Sequence, residues 1–260
     1  MPKLTVNLSV SGICNLNCSY CNLNFDKDFM ELDTFIDIVE RHGKDGYYII
    51  TGGEPTLHPD IGRMIAYLED NGYEGQIITN GYRLKRFLPN IKRLQINLSI
   101  SALTVANMDE KDGLTLSVLP YLKGKKVALS PIFRNDADDA LLVMLLANIN
   151  GFSLTQNVNI HSAQPSIHYH HMEDINIPEL ERYAHMYEEV CKPDWFVRPE
   201  TLWELISYHK ENKFWRCDPA FKKEFEWFYR PDGSYTHCCL WDDVDHCGGC
   251  LDLCGLQASK

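Results

Sequence analysis

The sequence predicts an α/β fold, in which six strands and the helices between them curl into an open or partial barrel. Three observations predict it. Short apolar or alternating runs are interleaved with helical patterns from the first residues to about residue 161, the signature of β/α units on a parallel sheet. Several runs alternate strictly between polar and apolar residues, which gives each strand two unlike faces. Right-handed crossovers then curl such a series into a barrel-like sheet.

The first strand covers Leu4–Val10, where Thr5, Asn7, Ser9 and Ser11 alternate with Leu4, Val6, Leu8 and Val10. A helical pattern follows over Glu31–His42, a strand over Tyr47–Thr51 and a helix over Asp60–Asn71. The third strand, Gln76–Thr79, leads into a helical pattern at Arg83–Leu88. In the fourth, Leu94–Ile100, Gln95, Asn97, Ser99 and Ser101 alternate with Leu94, Ile96, Leu98 and Ile100. Helix Leu114–Leu122, strand Lys126–Phe133 and helix Asp136–Asn148 continue the series. The sixth strand, Phe152–His161, sets Asn157, Asn159 and His161 against Val158 and Ile160. In an α/β barrel the outer face packs on helices, so the apolar sets should point outward and the polar sets into the lumen. Such a lumen would hold a substrate through neutral hydrogen-bonding groups. One solvent-facing side on each strand is the alternative.

Beyond residue 165 the alternation stops. Pro178–Lys192 reads as a helix, with Leu180, Tyr183, Ala184 and Tyr187 at helical spacing. The aromatic stretch through Trp195, Trp203 and Tyr208 is expected to pack an appendage onto the barrel rather than to stack a substrate. Phe225–Tyr229 and Tyr235–Cys239 flank Pro231-Asp232-Gly233-Ser234 and predict a β-hairpin. The organisation expected is a barrel over 1–165, a helical linker over 166–210 and a small hairpin-containing domain over 211–260.

Composition narrows the function. A chain of 260 residues with 45% hydrophobic and 23% charged residues suits a sizeable globular core, and no apolar run approaches a membrane span. The first ten residues carry no signal-peptide pattern, so a cytoplasmic location is expected. Ten cysteines then point to metal or cluster ligation in a reducing compartment. A net charge of −11 argues against tight duplex nucleic-acid binding, though not against a nucleoside substrate.

Cys14, Cys18 and Cys21 follow the first strand in the run C-N-L-N-C-S-Y-C. Three thiolates on one short loop can hold three irons of a cubic [4Fe-4S] cluster and leave the fourth open to a ligand. A zinc site wants four ligands, and no further Cys or His follows before His42. A disulfide would leave one thiol over, and Asn15, Asn17, Ser19 and Asn22 make a loop rather than a packed core face. Gly52-Gly53-Glu54-Pro55 closes the second strand, where two glycines allow close backbone approach and a carboxylate can accept from an ammonium group.

The loop resembles the C-x3-C-x2-C signature of the radical S-adenosylmethionine (SAM) enzymes, with Tyr20 at their aromatic position. The resemblance covers roughly residues 1–165 and implies their partial (β/α)6 TIM-like barrel. It implies that SAM chelates the open iron and is reductively cleaved to methionine and a 5′-deoxyadenosyl radical. It also assigns Gly52, Gly53 and Glu54 to the SAM amino group. Thr79-Asn80-Gly81 resembles the T-N-G found at the end of the third strand in such enzymes. The fourth strand departs from the common pattern, with Ser99 and Ser101 where an acidic contact to ribose or substrate is usual. Arg134, just past the fifth strand, either pairs with a carboxylate of SAM or substrate or is a surface residue. Of His161, His168, His170 and His171, His161 is the candidate general base. Cys191 reads as a packed thiol.

Cys217, Cys238, Cys239, Cys247, Cys250 and Cys254 crowd the C-terminal end and resemble the twitch and SPASM extensions of radical SAM enzymes. One auxiliary [4Fe-4S] cluster is implied, on Cys217, Cys238, Cys247 and Cys250, with Cys254 able to replace one of the last pair and Cys239 a spare. A structural zinc is the alternative.

The function expected is a radical SAM enzyme acting on a polar small molecule or nucleoside-like compound, with the auxiliary cluster in electron transfer. Its expected partner is a low-potential donor, flavodoxin or ferredoxin. The first strand begins at once, without an N-terminal module to grip a peptide leader, which weighs against the runner-up, a peptide maturase. An iron–sulfur sensor or carrier without SAM chemistry is the reading from another class.

Overall fold

The computed structural model describes residues 4–18, 28–100, 103, 109–131, 136–154, 176–190, 199–211 and 224–237. Its strands are β1 Leu4–Ser11, β2 Gly46–Gly52, β3 Glu74–Thr79, β4 Gln95–Ile100, β5 Val127–Pro131, β6 Ser153–Leu154, β7 Glu226–Tyr229 and β8 Tyr235–Thr236. Its helices are α1 Leu32–His42, α2 Ile61–Asp70, α3 Glu110–Val118, α4 Ala137–Asn150, α5 Ile177–Val190 and α6 Pro199–Lys210. The strands form one open sheet in the order β6-β5-β4-β3-β2-β1-β7-β8. All neighbours are parallel except β7 and β8, so β1 to β6 stand in chain order, as successive β/α units require.

The alternation dictates which face is covered. Val6, Leu8 and Val10 of β1, Ile50 of β2, Ile77 of β3, and Ile96, Leu98 and Ile100 of β4 are all fully buried. They share one core with Phe35, Ile38 and Val39 of α1, Met64, Ile65 and Leu68 of α2, and Val143 and Met144 of α4. Each such side chain contributes about 1.5–3 kcal/mol by leaving water. The register aligns the other set: Asn7 lies beside Ile49, Ile49 beside Gln76, Gln76 beside Gln95, and Ser99 beside Ser130. Gln95 Nε2 donates to Gln76 Oε1 at 3.3 Å, so this second face carries a cross-strand amide pair. Strands β1 and β4 show the expected two faces, whereas the second face carries Ile49 on β2 and Ile78 on β3, and β5 is buried on both sides. Asn157, Asn159 and His161 lie outside the described residues.

Two elements differ from expectation. Arg83–Leu88 holds only a 3-10 turn, Leu84–Arg86, and packs Leu84 inward. Helix α3 starts before Leu114 because Asp109 and Asp112 form a capping box around its first turn. It gives way before Leu122 to a 3-10 turn with Pro120 in its first turn. Helix α6 lies within the expected helical linker and buries Leu202, Leu205 and Ile206, which recur at helical spacing. Trp203 packs edge-on to His185 of α5 at 4.6 Å and against the core, which agrees with the packing role; Trp195 lies outside the described residues.

The hairpin forms around the predicted turn and adds β7 in parallel to the free edge of β1. His42 Nε2 and Tyr229 OH are 2.9 Å apart, and Trp227 packs against the same imidazole at 5.0 Å, so the hairpin is fastened to the end of α1.

Candidate metal and cofactor site

The C-terminal ends of β1, β2 and β3 carry the cysteine loop, the G-G-E-P turn and the T-N-G turn, and hydrogen bonds join all three. The cysteine loop opens where β1 ends. Gly53 N donates to Ser11 O at 2.6 Å, and Glu54 N donates to Ile13 O at 2.8 Å. A Cβ on Gly53 would lie 2.2 Å from the Ile13 carbonyl oxygen, and one on Gly52 (φ 128°) 2.2 Å from that of Ser11. The two glycines are thus required by the approach of the β1 exit, whatever ligand they also face.

The far end of the same loop is pinned as well. Gly12 N donates to Asp28 O at 2.7 Å and Met30 N to Val10 O at 2.9 Å, so the chain returns beside its point of departure. His58 holds that return. Its Nδ1 accepts from Asp60 N at 2.9 Å, which leaves Nε2–H to donate to Met30 O at 2.7 Å. This imidazole is buried, and burial lowers its pKa, with the Met30 carbonyl opposing.

Glu54 is fully buried. Its Oε1 accepts from Thr56 N at 3.0 Å, Thr56 Oγ1 at 2.6 Å and Thr79 Oγ1 at 2.6 Å, while Oε2 accepts from Asn80 N at 2.8 Å. One carboxylate therefore ties the β2 turn to the β3 turn, with charge-assisted bonds satisfying a group that would otherwise be costly to bury. Asn80 extends the tie to the cysteines: its Nδ2 is 3.1 Å from Asn15 Oδ1 and 3.8 Å from Cys14 Sγ. The Thr115 hydroxyl of α3 lies 3.3 Å from Asn80 O and 2.8 Å from Ser99 O, linking the turn to β4.

The structure thus brings together Cys14, Gly52, Gly53, Glu54 and Asn80, with Ser99 one residue further along the network. Cys18 is partly exposed on the same loop. Cys21, Tyr20, Ser101, Arg134, His161, Cys217, Cys238, Cys247, Cys250 and Cys254 lie outside the described residues, as do Cys191, Cys239, His168, His170 and His171. Thr56, Thr115 and His58 were not among the expected site residues, and Thr79 entered only as the first residue of the T-N-G turn. The two threonines at the turns are signalled only by their places beside Glu54 and Asn80. Nothing local in the sequence marks His58 or Thr115.

The donor set fits an iron–sulfur cluster. Among the described residues, N–H groups of Leu16 at 3.4 Å and of Asn80 point at the Cys14 sulfur, the arrangement that stabilises a ligating thiolate. A radical SAM superfamily model matches residues 8–128, from β1 to β5 and across both the cysteine loop and the G-G-E-P turn. Residues 8–128 carry a radical SAM domain.

Proteins similar to this domain agree. GTP 3′,8-cyclase of Helicobacter pylori is 28% identical over 161 residues, 54% of this chain and 50% of that protein. A probable GTP 3′,8-cyclase of Sulfolobus acidocaldarius is 26% identical over 223 residues, 80% of this chain and 68% of that protein. The chain thus spans only half the length of the Helicobacter relative. In fold, the radical SAM domain and the elements after it resemble SuiB of Streptococcus suis, whose structure has been solved with S-adenosylmethionine bound. The TM-score is 0.66 at 17% identity, over 92% of this chain and 60% of SuiB. Among the described residues, no helix is long and apolar enough to cross a membrane.

Proposed function

We propose that this chain is a radical SAM enzyme that oxidises or rearranges a polar, nucleoside-like small molecule through a carbon-centred radical. One observation carries the reading: the cysteine loop, the G-G-E-P turn and Asn80 form one hydrogen-bonded unit at the ends of β1, β2 and β3. Cys14, Cys18 and Cys21 would hold the [4Fe-4S] cluster. When bound, it supplies the electron that cleaves SAM to methionine and the 5′-deoxyadenosyl radical that takes a hydrogen atom from the substrate.

The chain's own residues hold and orient. The backbone of Gly52 and Gly53 fixes the loop entry, and we assign the same turn to the SAM amino group. Glu54 Oε1 is filled by three donors, so any contact of this carboxylate with that ammonium falls to Oε2, which has one. Tyr20, Ser99 and Ser101 complete the cofactor side of the reading. Arg134 is assigned to pairing with a carboxylate, and His161 to taking a proton from the substrate.

The polar sheet face of Asn7, Gln76, Gln95, Asn97 and Ser99 supports a neutral, hydrogen-bonding substrate, and the GTP-named relatives support a nucleoside. The second reading is a peptide maturase, because the SuiB fold has been solved with its precursor peptide SuiA. We assign one auxiliary [4Fe-4S] cluster to Cys217, Cys238, Cys247 and Cys250, with Cys254 an alternate ligand and zinc the alternative metal. The antiparallel β7–β8 pairing returns the chain beside its own entry, which favours a site shared by cysteines on either side of the hairpin. Flavodoxin or ferredoxin is the proposed donor, in the cytoplasm.

The test is isotope transfer. With deuterated nucleosides and nucleotides, deuterium should appear in 5′-deoxyadenosine for at least one compound. Transfer from peptides alone would move the assignment to the maturase.

A further inference from the structure

We propose that Asn80 is a positioning residue for the radical-generating cluster: its side-chain amide donates a hydrogen bond to the Cys14 sulfur and raises the cluster's reduction potential. The inference rests on the assignment of Cys14 as a cluster ligand.

Four observations carry it. Asn80 Nδ2 lies 3.8 Å from Cys14 Sγ, within hydrogen-bond reach of a sulfur acceptor, while its other N–H meets Asn15 Oδ1 at 3.1 Å. The orientation of the amide follows from its surroundings. Tyr82 N, which can only donate, is 3.0 Å from Asn80 Oδ1, so the oxygen faces Tyr82 and the nitrogen faces the cysteine loop. The backbone of Asn80 is fixed by its N–H, which donates to the buried Glu54 Oε2 at 2.8 Å. The side chain is buried, at 7% exposure, so solvent does not compete freely for these bonds.

The chemistry follows from charge. Adding an electron to a thiolate-ligated cluster increases the negative charge on its sulfurs, and an N–H aimed at one of them stabilises the reduced form more than the oxidised one. Leu16 N, at 3.4 Å, already supplies one such bond to Cys14 from within the loop. Asn80 supplies the second from a different strand, so it also fixes the loop to the sheet. Glu54 acts through it: the buried carboxylate holds the Asn80 backbone and has no hydrogen bond to the cysteine itself. Loss of one N–H···S bond should shift the balance of oxidised and reduced cluster about 5- to 10-fold, where tenfold corresponds to 59 mV for one electron.

The test is a redox titration of the reconstituted full chain, following by electron paramagnetic resonance the cluster signal that changes when SAM is added. That criterion separates the loop cluster from any auxiliary one. N80A should lower the midpoint by up to the tenfold equivalent. N80D is isosteric, keeps an acceptor for Tyr82 N and sets a carboxylate against the sulfur, so it should lower the midpoint further. A purely structural asparagine would change how much iron the variants retain, but not the potential of the clusters they do hold. Equal midpoints in wild type, N80A and N80D overturn the inference. Absence of any SAM-responsive signal in the wild type overturns instead the radical SAM assignment on which it stands.

Discussion

A methyl group on Gly53 would meet the Ile13 carbonyl oxygen at 2.2 Å, so G53A must push the start of the cysteine loop off β2. We expect G53A to lose about 1–3 kcal/mol of stability, as overpacked sites do, and to bind less iron after reconstitution. Urea melts and iron assays check the two effects separately. His58 gives a pH dependence. Its folded pKa is below 6.5, so below that pH the unfolded chain takes up the proton first and the fold loses stability as pH falls. H58Q should flatten this dependence below about pH 6.5, and an unchanged slope would contradict the assignment. At this scale the sequence showed Cys14, Gly53, Glu54 and Asn80 through their spacing. His58 and Thr115 stayed hidden because their partners, Met30, Ser99 and Asn80, are distant in sequence and contribute backbone atoms, which every residue has.

Helix α2 ends in a device of the same kind. Glu69, buried in its last turn, accepts from Lys92 N at 2.7 Å, Arg93 N at 2.8 Å and Leu94 N at 2.9 Å, and so anchors the entry to β4. Burial presses its pKa upward, but the three backbone N–H bonds and the Arg93 guanidinium together hold it below the usual 4.5. The resulting stability is present above that value and is lost as pH falls through the folded pKa. E69A should cost about 2–3 kcal/mol near neutrality, with a smaller penalty in acid. A pH-independent effect in denaturant melts would argue against the carboxylate. Strands β1 and β4 and helices α1 and α2 could be read from period, because each has one strongly apolar face, whereas β2, β3, β5 and α4 show only as apolar runs of strand or helix length. The 3-10 turn at Leu84–Arg86 and the early start of α3 could not, since the first has too few residues to show a period and the second is set by capping at Asp109.

At the scale of the molecule, the sheet begins as successive parallel units and is completed by the last hairpin, which lies on β1 rather than on β6. Pairing between segments so far apart leaves no local trace, so the hairpin was readable but its docking edge was not. The docking joins the hairpin to the strand that launches the cysteine loop. Iron and sulfide assays on anaerobically purified protein should give about eight irons per chain for two clusters, whereas about four would leave the C-terminal cysteines to zinc or to no metal. Replacing Cys217 and Cys238 together by alanine should halve the count and leave the SAM-responsive signal in place. The central claim is that the hydrogen-bonded unit of cysteine loop, G-G-E-P turn and Asn80 serves SAM cleavage. It is tested most directly by incubating the reconstituted, reduced protein with SAM and quantifying 5′-deoxyadenosine. The account predicts its formation, dependent on reductant and lost in C14A. A protein that holds its cluster, is fully reduced and still makes none would contradict it.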